Sequence, residues 1–539
     1  MKNEVIHLTL HPFDLNNLKE KFLARKQTII FCFCTVYFWG LLAHAYGFLH
    51  SNFSHDVLNA FLATAVEDNV KLEVGRYLVP VYRMLFRGPV TLPWVIGLLG
   101  LFWTAIALIL VVRMFNIRSR MLMFLIGGMM TTNITYTAQI ATFMHEFDCN
   151  AFAMLMAVLS VYLWSRDKKY LPILLGGLCL MASISIYQAY FAVAVTLIVW
   201  KSIMDLLDDA QVPKVFFKGI RGIVMLGMGC LFYLLLGKLT SYVTQLPLYG
   251  RANALDMGGQ SPLVVYAGLI KPVISYLGRN ILHKVFYSSV FDSCVYLLVA
   301  LLALLAVRLI VVKKYRFDRI LLIALLVAVI PLAMSCVFFL AKGNEMHDVT
   351  TYVLWFFYVF LLMLAFRLCE KDGNPDWKTG TVRAAVCILV GVVLWQNVVF
   401  ANMAYMKKDM EAKATLSTVT RVVARLEDRE DYDPKETTIA FMGVPNNQPY
   451  LEGIERFDTI IGLTYRSSVA SDTAITHYNT YKAYFNYVLQ TPARFCSDEM
   501  HRKLRADERV QAMPEYPHKD CMAIIDDVLV IKMGQYVLD

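Results

Sequence analysis

The chain has 539 residues, 58% hydrophobic and 17% charged, with a mean hydropathy of +0.52. A soluble globular domain is less apolar and more charged, so a soluble enzyme, a disordered scaffold and a small secreted disulfide protein are excluded, and a polytopic membrane protein remains. The net charge of +9 is unevenly spread: residues 403–539 hold 17 Lys and Arg against 21 Asp and Glu, and residues 1–402 hold 34 against 21. The body is basic and the end mildly acidic, and the positive total is no sign of nucleic-acid binding.

The first expected element follows Lys19, Lys21, Arg25 and Lys26 as an apolar run from Gln27 to Leu49. It is too long for the core of a cleavable signal, and no small-residue cleavage pattern ends it. Residues 1–26 therefore read as cytoplasmic, with an interfacial amphipathic helix as an option. Apolar blocks then predict eleven spans, at 28–49, 93–112, 121–142, 150–164, 171–184, 186–203, 222–240, 291–312, 319–341, 350–368 and 382–402. Alternate connections are basic, carrying Arg113, Arg118 and Arg120, then Arg166, Lys168 and Lys169, then Lys214, Lys218 and Arg221, while 143–149 carries no Lys or Arg. This positive-inside pattern puts residues 403–539 outside. Residues 171–203 are too long for one straight span, and Ser183, Ser185, Tyr187 and Gln188 sit at their centre. Two short helices meeting near Ile184–Ala189 are expected, with the freed backbone groups satisfied by protein or water.

Chemistry is expected on the outer connections, two of which, 50–92 and 241–290, are long. The first holds an amphipathic-looking stretch, 55–87, that begins at Ser54-His55-Asp56. A partly desolvated carboxylate at the membrane surface suits a general base toward a hydroxyl; the alternative is that Asp56 caps a helix. His145-Glu146-Phe147-Asp148 falls on the same side. There Glu146 or Asp148 could share the acid–base work, with His55 and His145 contacting substrate. His55, Asp56, His145 and Asp148 lack a recognisable metal spacing, so a divalent cation is not expected, nor any other cofactor. Arg76, Arg83 and Arg87 recur at seven and four, which would align them on one helix face, though Pro80 interrupts. Their forks suit the oxygens of a lipid phosphate; the alternative is pairing with headgroups or with Glu67, Asp68 and Glu73. Lys271 and Arg279, in the basic part of 241–290, are further phosphate candidates. Tyr187 and Gln188 suit either substrate contact or helix–helix bonding. The loop from Lys342 to Asp348 is a third polar outer connection.

The end of the chain has a different texture. Residues 405–430 read as a helix, Thr438–Met442 as a strand before a turn-rich loop, and Cys521–Ile525 and Val528–Lys532 as strands joined at Asp526-Asp527. Nine of the eleven cysteines lie in or beside apolar blocks and none forms a C-x-x-C pair, which argues against a metal or redox framework. Cys496 and Cys521 are open to two readings, a disulfide in an oxidising compartment or two free thiols.

Four stretches carry a resemblance: Gly75-Arg76-Tyr77 within Leu72–Leu85; Ser185-Ile186-Tyr187-Gln188-Ala189-Tyr190; Gly443-Val444-Pro445 followed by Pro449-Tyr450; and Tyr516-Pro517 with Ala523 to Lys532. Over about residues 30–539 the chain resembles the bacterial O-antigen glucosyltransferases of the serotype-converting Gtr type II group. The resemblance implies a GT-C-like fold: a mainly α, polytopic bundle over 1–402 in the bacterial inner membrane, with a small α/β domain over 403–539 on the outer face. It implies transfer of a sugar, usually glucose, from an undecaprenyl-phosphate carrier to a polysaccharide acceptor. Asp56 matches the acid of the first outer loop that serves as base in GT-C enzymes, but His55 stands where many carry a second acid. The rival class is a transporter or flippase of polyprenyl-linked sugars, which gives no reason for an outer domain of this size.

Overall fold

The computed structural model describes residues 26–534, apart from 51–52, 63, 167–169, most of 248–313, 338–347, 371–376 and most of 445–477. Helix α1 (Lys26–Leu49) ends where the first apolar run ends. Three short helices follow, α2 (His55–Asn59), α3 (Ala65–Glu73) and α4 (Val79–Phe86), in place of one amphipathic stretch. Gly75 at φ 80° and Pro80 in the first turn of α4 explain the division.

Helix α5 (Pro93–Met114) is continuous, but the span expected at 121–142 is two helices, α6 (Arg120–Thr131) and α7 (Ile134–Thr142). Asn133 makes the break. It donates Nδ2 to the carbonyls of Met129 and Met130 at 3.2 and 3.0 Å, and accepts from the Tyr136 N–H at 3.0 Å. An amide side chain that closes one helix and opens the next replaces the ladder bonds that a straight span would have made. Helix α8 (Phe147–Trp164) lies against α5 so closely that a Cβ on Gly100 would overlap the Phe147 ring.

The break expected near 184–189 is present. Helix α9 (Leu171–Ile184) stops, a single 3₁₀ turn covers Gln188–Tyr190, and α10 (Phe191–Leu207) resumes. Helices α11 (Val212–Thr244), α12 (Phe317–Met334) and α13 (Tyr352–Glu370) follow. The span expected at 291–312 lies mostly outside the described residues. Seven described helices are long and apolar enough to cross a membrane, and Leu171–Ile184 and Tyr352–Arg367 are apolar but shorter. Along α11, Phe217, Ile223, Leu235 and Leu239 are exposed. A face that apolar belongs in hydrocarbon rather than water.

The last predicted span and the predicted tail helix are one helix, α14 (Trp377–Glu427). Neither Gly nor Pro occurs between Val392 and Glu427, so nothing stops the helix where its surface turns from apolar to charged. Its upper part is tied back to α1: Tyr46 donates to Asp409 at 3.0 Å, and Asn402 donates to the Leu42 carbonyl at 3.1 Å.

Beyond α14, four strands order as β2 (Arg494–Phe495), β1 (Thr438–Met442), β4 (Val528–Lys532) and β3 (Met522–Ile525). β1 is parallel to β2 and β4, and β3–β4 is the expected hairpin, its turn made by Asp526 and Asp527 at φ 50° and 59°. On one face Ile439, Phe441, Leu529 and Ile531 pack with Val419 and Leu426 of α14 and with Tyr481 of helix α15 (Tyr478–Tyr484). On the other, Ala440, Met442, Val528 and Val530 pack with Leu504 of helix α16 (Asp498–Ala506). Cys521 belongs to the first face and Cys496 to the second. Both are buried free thiols, so the disulfide reading is corrected: the sheet separates them.

Candidate functional site

Four connections meet at one end of the bundle: 50–92, the turn before α8, the break between α9 and α10, and the segment before α13. The break holds the first of these. The Ser185 carbonyl accepts from the Leu78 N–H at 3.0 Å, Gln188 Nε2 donates to the Val74 carbonyl at 3.1 Å, and the Tyr233 hydroxyl donates to the Gly75 carbonyl at 3.2 Å. The turn that carries Arg76 thus satisfies the Ser185 carbonyl of the interrupted span, and side chains of the break and of α11 satisfy the carbonyls of that turn. Gln188 is bonded within the protein, to the turn that follows α3.

Arg76 lies ahead of α4 rather than on it, so the three arginines do not share a helix face. Each meets a different carboxylate. Arg76 donates Nη1 to Glu146 Oε2 at 2.5 Å, and its guanidinium lies 4.9 Å from the centre of the Tyr187 ring. Arg83 grips Glu67 with both terminal nitrogens, the Nη2–Oε1 bond being 3.0 Å, and approaches Asp68 at 3.5 Å. Arg87 donates Nε to Asp148 Oδ2 at 2.8 Å and Nη1 to the Val90 carbonyl at 3.0 Å. The Arg83 and Arg87 side chains are 4% and 1% exposed, and that of Arg76 23%. Burial alone would lower the Arg76 pKa; the negative charge of Glu146, with Tyr187 and Asp56, outweighs it and raises the value. Pairing with acids thus takes all three, Arg83 through the expected Glu67 and Asp68, Arg76 through Glu146 and Arg87 through Asp148; no contact of Glu73 with them is found among the described residues.

Asp56 does not cap α2. Ser54 does, accepting from the Val57 N–H at 3.3 Å while donating to the Thr142 carbonyl. The Asp56 carboxylate is 40% exposed, and its ion-pair partner among the described residues is His55, whose Nε2 is 3.5 Å from Oδ1. Glu146 and Asp148 are instead buried and cation-bound. Lys71 Nζ lies 2.5 Å from Glu146 Oε1 and 3.2 Å from Glu67 Oε1. Asp148 also accepts from the Cys149 N–H at 2.9 Å. His145 is buried, with Nε2 3.7 Å from Glu146 Oε1 and Nδ1 without a hydrogen-bond partner among the described residues.

A family model described as Glucosyl transferase GtrII matches residues 45–366, more than half of the chain. The chain belongs to this family. No curated protein and no solved structure matches it. The GtrII match spans the whole charge cluster, from α2 to the segment before α13, and ends ahead of α14. Membership indicates a membrane glycosyltransferase.

Sequence reasoning named Asp56, His55, Arg76, His145, Glu146, Asp148, Tyr187 and Gln188 as candidates in this region but missed Lys71 and gave Glu67 only as a partner for arginine. Their i,i+4 spacing was the available signal, but it looks the same as a solvated surface pair. The metal set weighed from sequence is not assembled, because Asp148 is bound to Arg87. The His/Asp/Glu ligand atoms that do converge belong to Glu67, His145 and Glu146, all within 4.8 Å of one another. Lys271 is exposed on a helical stretch, and Arg279 lies outside the described residues, as does the loop 342–347.

Proposed function

We propose that the chain transfers a sugar, glucose by family likeness, from a polyprenyl-phosphate carrier to a hydroxyl of a cell-surface polysaccharide, with inversion, on the outer face of the bacterial inner membrane. The observation that carries this reading is the contrast between Asp56 and its neighbours. Glu67, Asp68, Glu146 and Asp148 are all in contact with Arg or Lys, so each is already engaged by a cation rather than left open to an acceptor hydroxyl. Asp56 carries no such partner among the described residues, stands exposed, and lies within electrostatic reach of Arg76.

In this reading Asp56 accepts the proton of the acceptor hydroxyl. The hydroxyl oxygen forms its bond to the anomeric carbon as the bond from that carbon to the phosphate oxygen breaks. The electron pair leaves with the phosphate, and Arg76, which commits Nη1 to Glu146 and keeps other N–H groups for a ligand, meets the departing charge. A single displacement inverts the anomeric centre. The lipid tail stays in hydrocarbon beside the apolar helices, and no cofactor takes part in the step.

The test is transfer by purified protein in detergent from polyprenyl-phosphate glucose to a polysaccharide acceptor. Turnover without vesicles is expected. Movement of the lipid-linked sugar across vesicles with no glycosidic product would replace this reading by a flippase.

A further inference from the structure

We propose that the Lys71 ammonium is a built-in cation standing where a divalent metal would bind, and that it fixes Glu67 and Glu146 so that Glu146 can hold Arg76. This makes Lys71 a positioning residue and the transfer reaction independent of divalent metal. Only the activity arm of the test below rests on the proposed function.

Glu67, His145 and Glu146 present two carboxylates and an imidazole with ligand atoms within 4.8 Å of one another, a donor set suited to Mn²⁺ or Zn²⁺. His145 is 2% exposed and its Nδ1 has no hydrogen-bond partner among the described residues, which is unusual for a buried polar atom. Yet the position between the carboxylates is taken. Lys71, one helical turn beyond Glu67, brings Nζ to 2.5 Å from Glu146 Oε1 and 3.2 Å from Glu67 Oε1. An ammonium that close to the same oxygens and a metal ion cannot be bound together.

The charge count agrees. Glu67, Asp68, Glu146 and Asp148 are matched one for one by Lys71, Arg76, Arg83 and Arg87. A dication added to this balanced and largely buried cluster would leave two uncompensated positive charges, which is costly. Removing the lysine charge leaves one carboxylate in excess and three ligands facing the space it filled.

The experiment compares wild type with Lys71→Ala and Lys71→Met, all stripped with EDTA, using Mn²⁺ as the probe. Metal content and the Mn²⁺ electron paramagnetic resonance signal report binding without any substrate. Wild type is expected to bind no stoichiometric Mn²⁺ and to keep its transfer rate after stripping. The metal-free variants are expected to lose about 10–100-fold in transfer, to bind one Mn²⁺ per chain, and to recover activity with it. Lys71→Ala combined with Glu146→Gln should bind none. One Mn²⁺ bound to wild type, or transfer abolished by chelation and restored by Mn²⁺, overturns the proposal; so does a folded Lys71→Ala that binds no Mn²⁺. Lys71→Met retains the apolar stem if the alanine variant fails to fold, and if both fail the wild-type arm decides alone. Absence of transfer by wild type counts against the proposed function, while Mn²⁺ binding still judges Lys71.

Discussion

Asp56 and Arg76 differ from the charges around them in what surrounds them. Both keep part of the side chain exposed, whereas Arg87 and Asp148 form a pair with almost no exposure. This separates two kinds of substitution. Asp56→Asn keeps size and removes the basic oxygen, so kcat should fall by about 10²–10⁴-fold with the chain folded normally, as steady-state transfer and a melting curve will show. Full activity in that variant would move the base elsewhere. Arg87→Ala leaves a buried carboxylate unpaired and should destabilise the fold by about 3–5 kcal/mol, read as lowered thermal stability in detergent. Arg76→Lys keeps charge but loses the fork. It should weaken use of the donor while leaving the melting temperature close to wild type, and unchanged donor kinetics would make Arg76 a structural cation. Asp56 could be named from the sequence because it follows the first apolar block, and Arg76 because it is an arginine in an outer connection. Lys71 was not, since what distinguishes it is a contact with Glu146, which the sequence places on another element.

Among the elements, the helix breaks were read unevenly for a physical reason. The interruption between α9 and α10 showed as a polar centre in an overlong apolar run, whereas the one at Asn133 lies in a block of ordinary length and depends on a single amide. Helix α14 was divided at the change from apolar to charged surface, but surface composition does not stop a helix that meets neither Gly nor Pro. Three of the four strands were legible, β1 from the turn-rich loop after it and β3 and β4 from Asp526-Asp527, while the two-residue β2 was not. What the sequence could not show is that α2 is roofed by the end of the chain. Leu58 is fully buried among Val419, Val422, Ile439 and Tyr481, and Phe61 meets Tyr487 with ring centres 5.0 Å apart. Leu58→Ala should cost about 2–5 kcal/mol and, because α2 carries Asp56, should lower kcat as well; a variant that is destabilised but fully active would show that α2 holds its place without this packing. The two thiols of the terminal domain, on opposite faces of its sheet, should both be alkylated after denaturation without reductant, and mass spectrometry of that domain will show it.

Across the whole molecule the charges sort to two ends. One end has the Glu67–Lys71–Glu146–Arg76 cluster and the terminal domain. At the other, Arg319 pairs with Asp209 at 2.7 Å, Lys218 with Asp205 at 3.0 Å, and Arg367 with Asp208. The second end also bears the loops counted as basic from sequence, which the proposed orientation puts on the cytoplasmic side. A reporter fused after Asp539 should therefore be active outside the inner membrane and silent within the cell. The opposite result would place Asp56 and Arg76 on the cytoplasmic side and remove the outer-face mechanism.

The contact between Leu58 and Val419 also bears on how the protein is made. Residue 58 enters the membrane early in synthesis, and its packing partners leave the ribosome only after every span has been inserted. Until then α2 lacks its roof, and loop closures of such length are slow. A chain cut short by a premature stop between the last predicted span and residue 419 would carry every residue of the charge cluster and still lack the surface that seats Asp56, so that incomplete product would be inserted but idle.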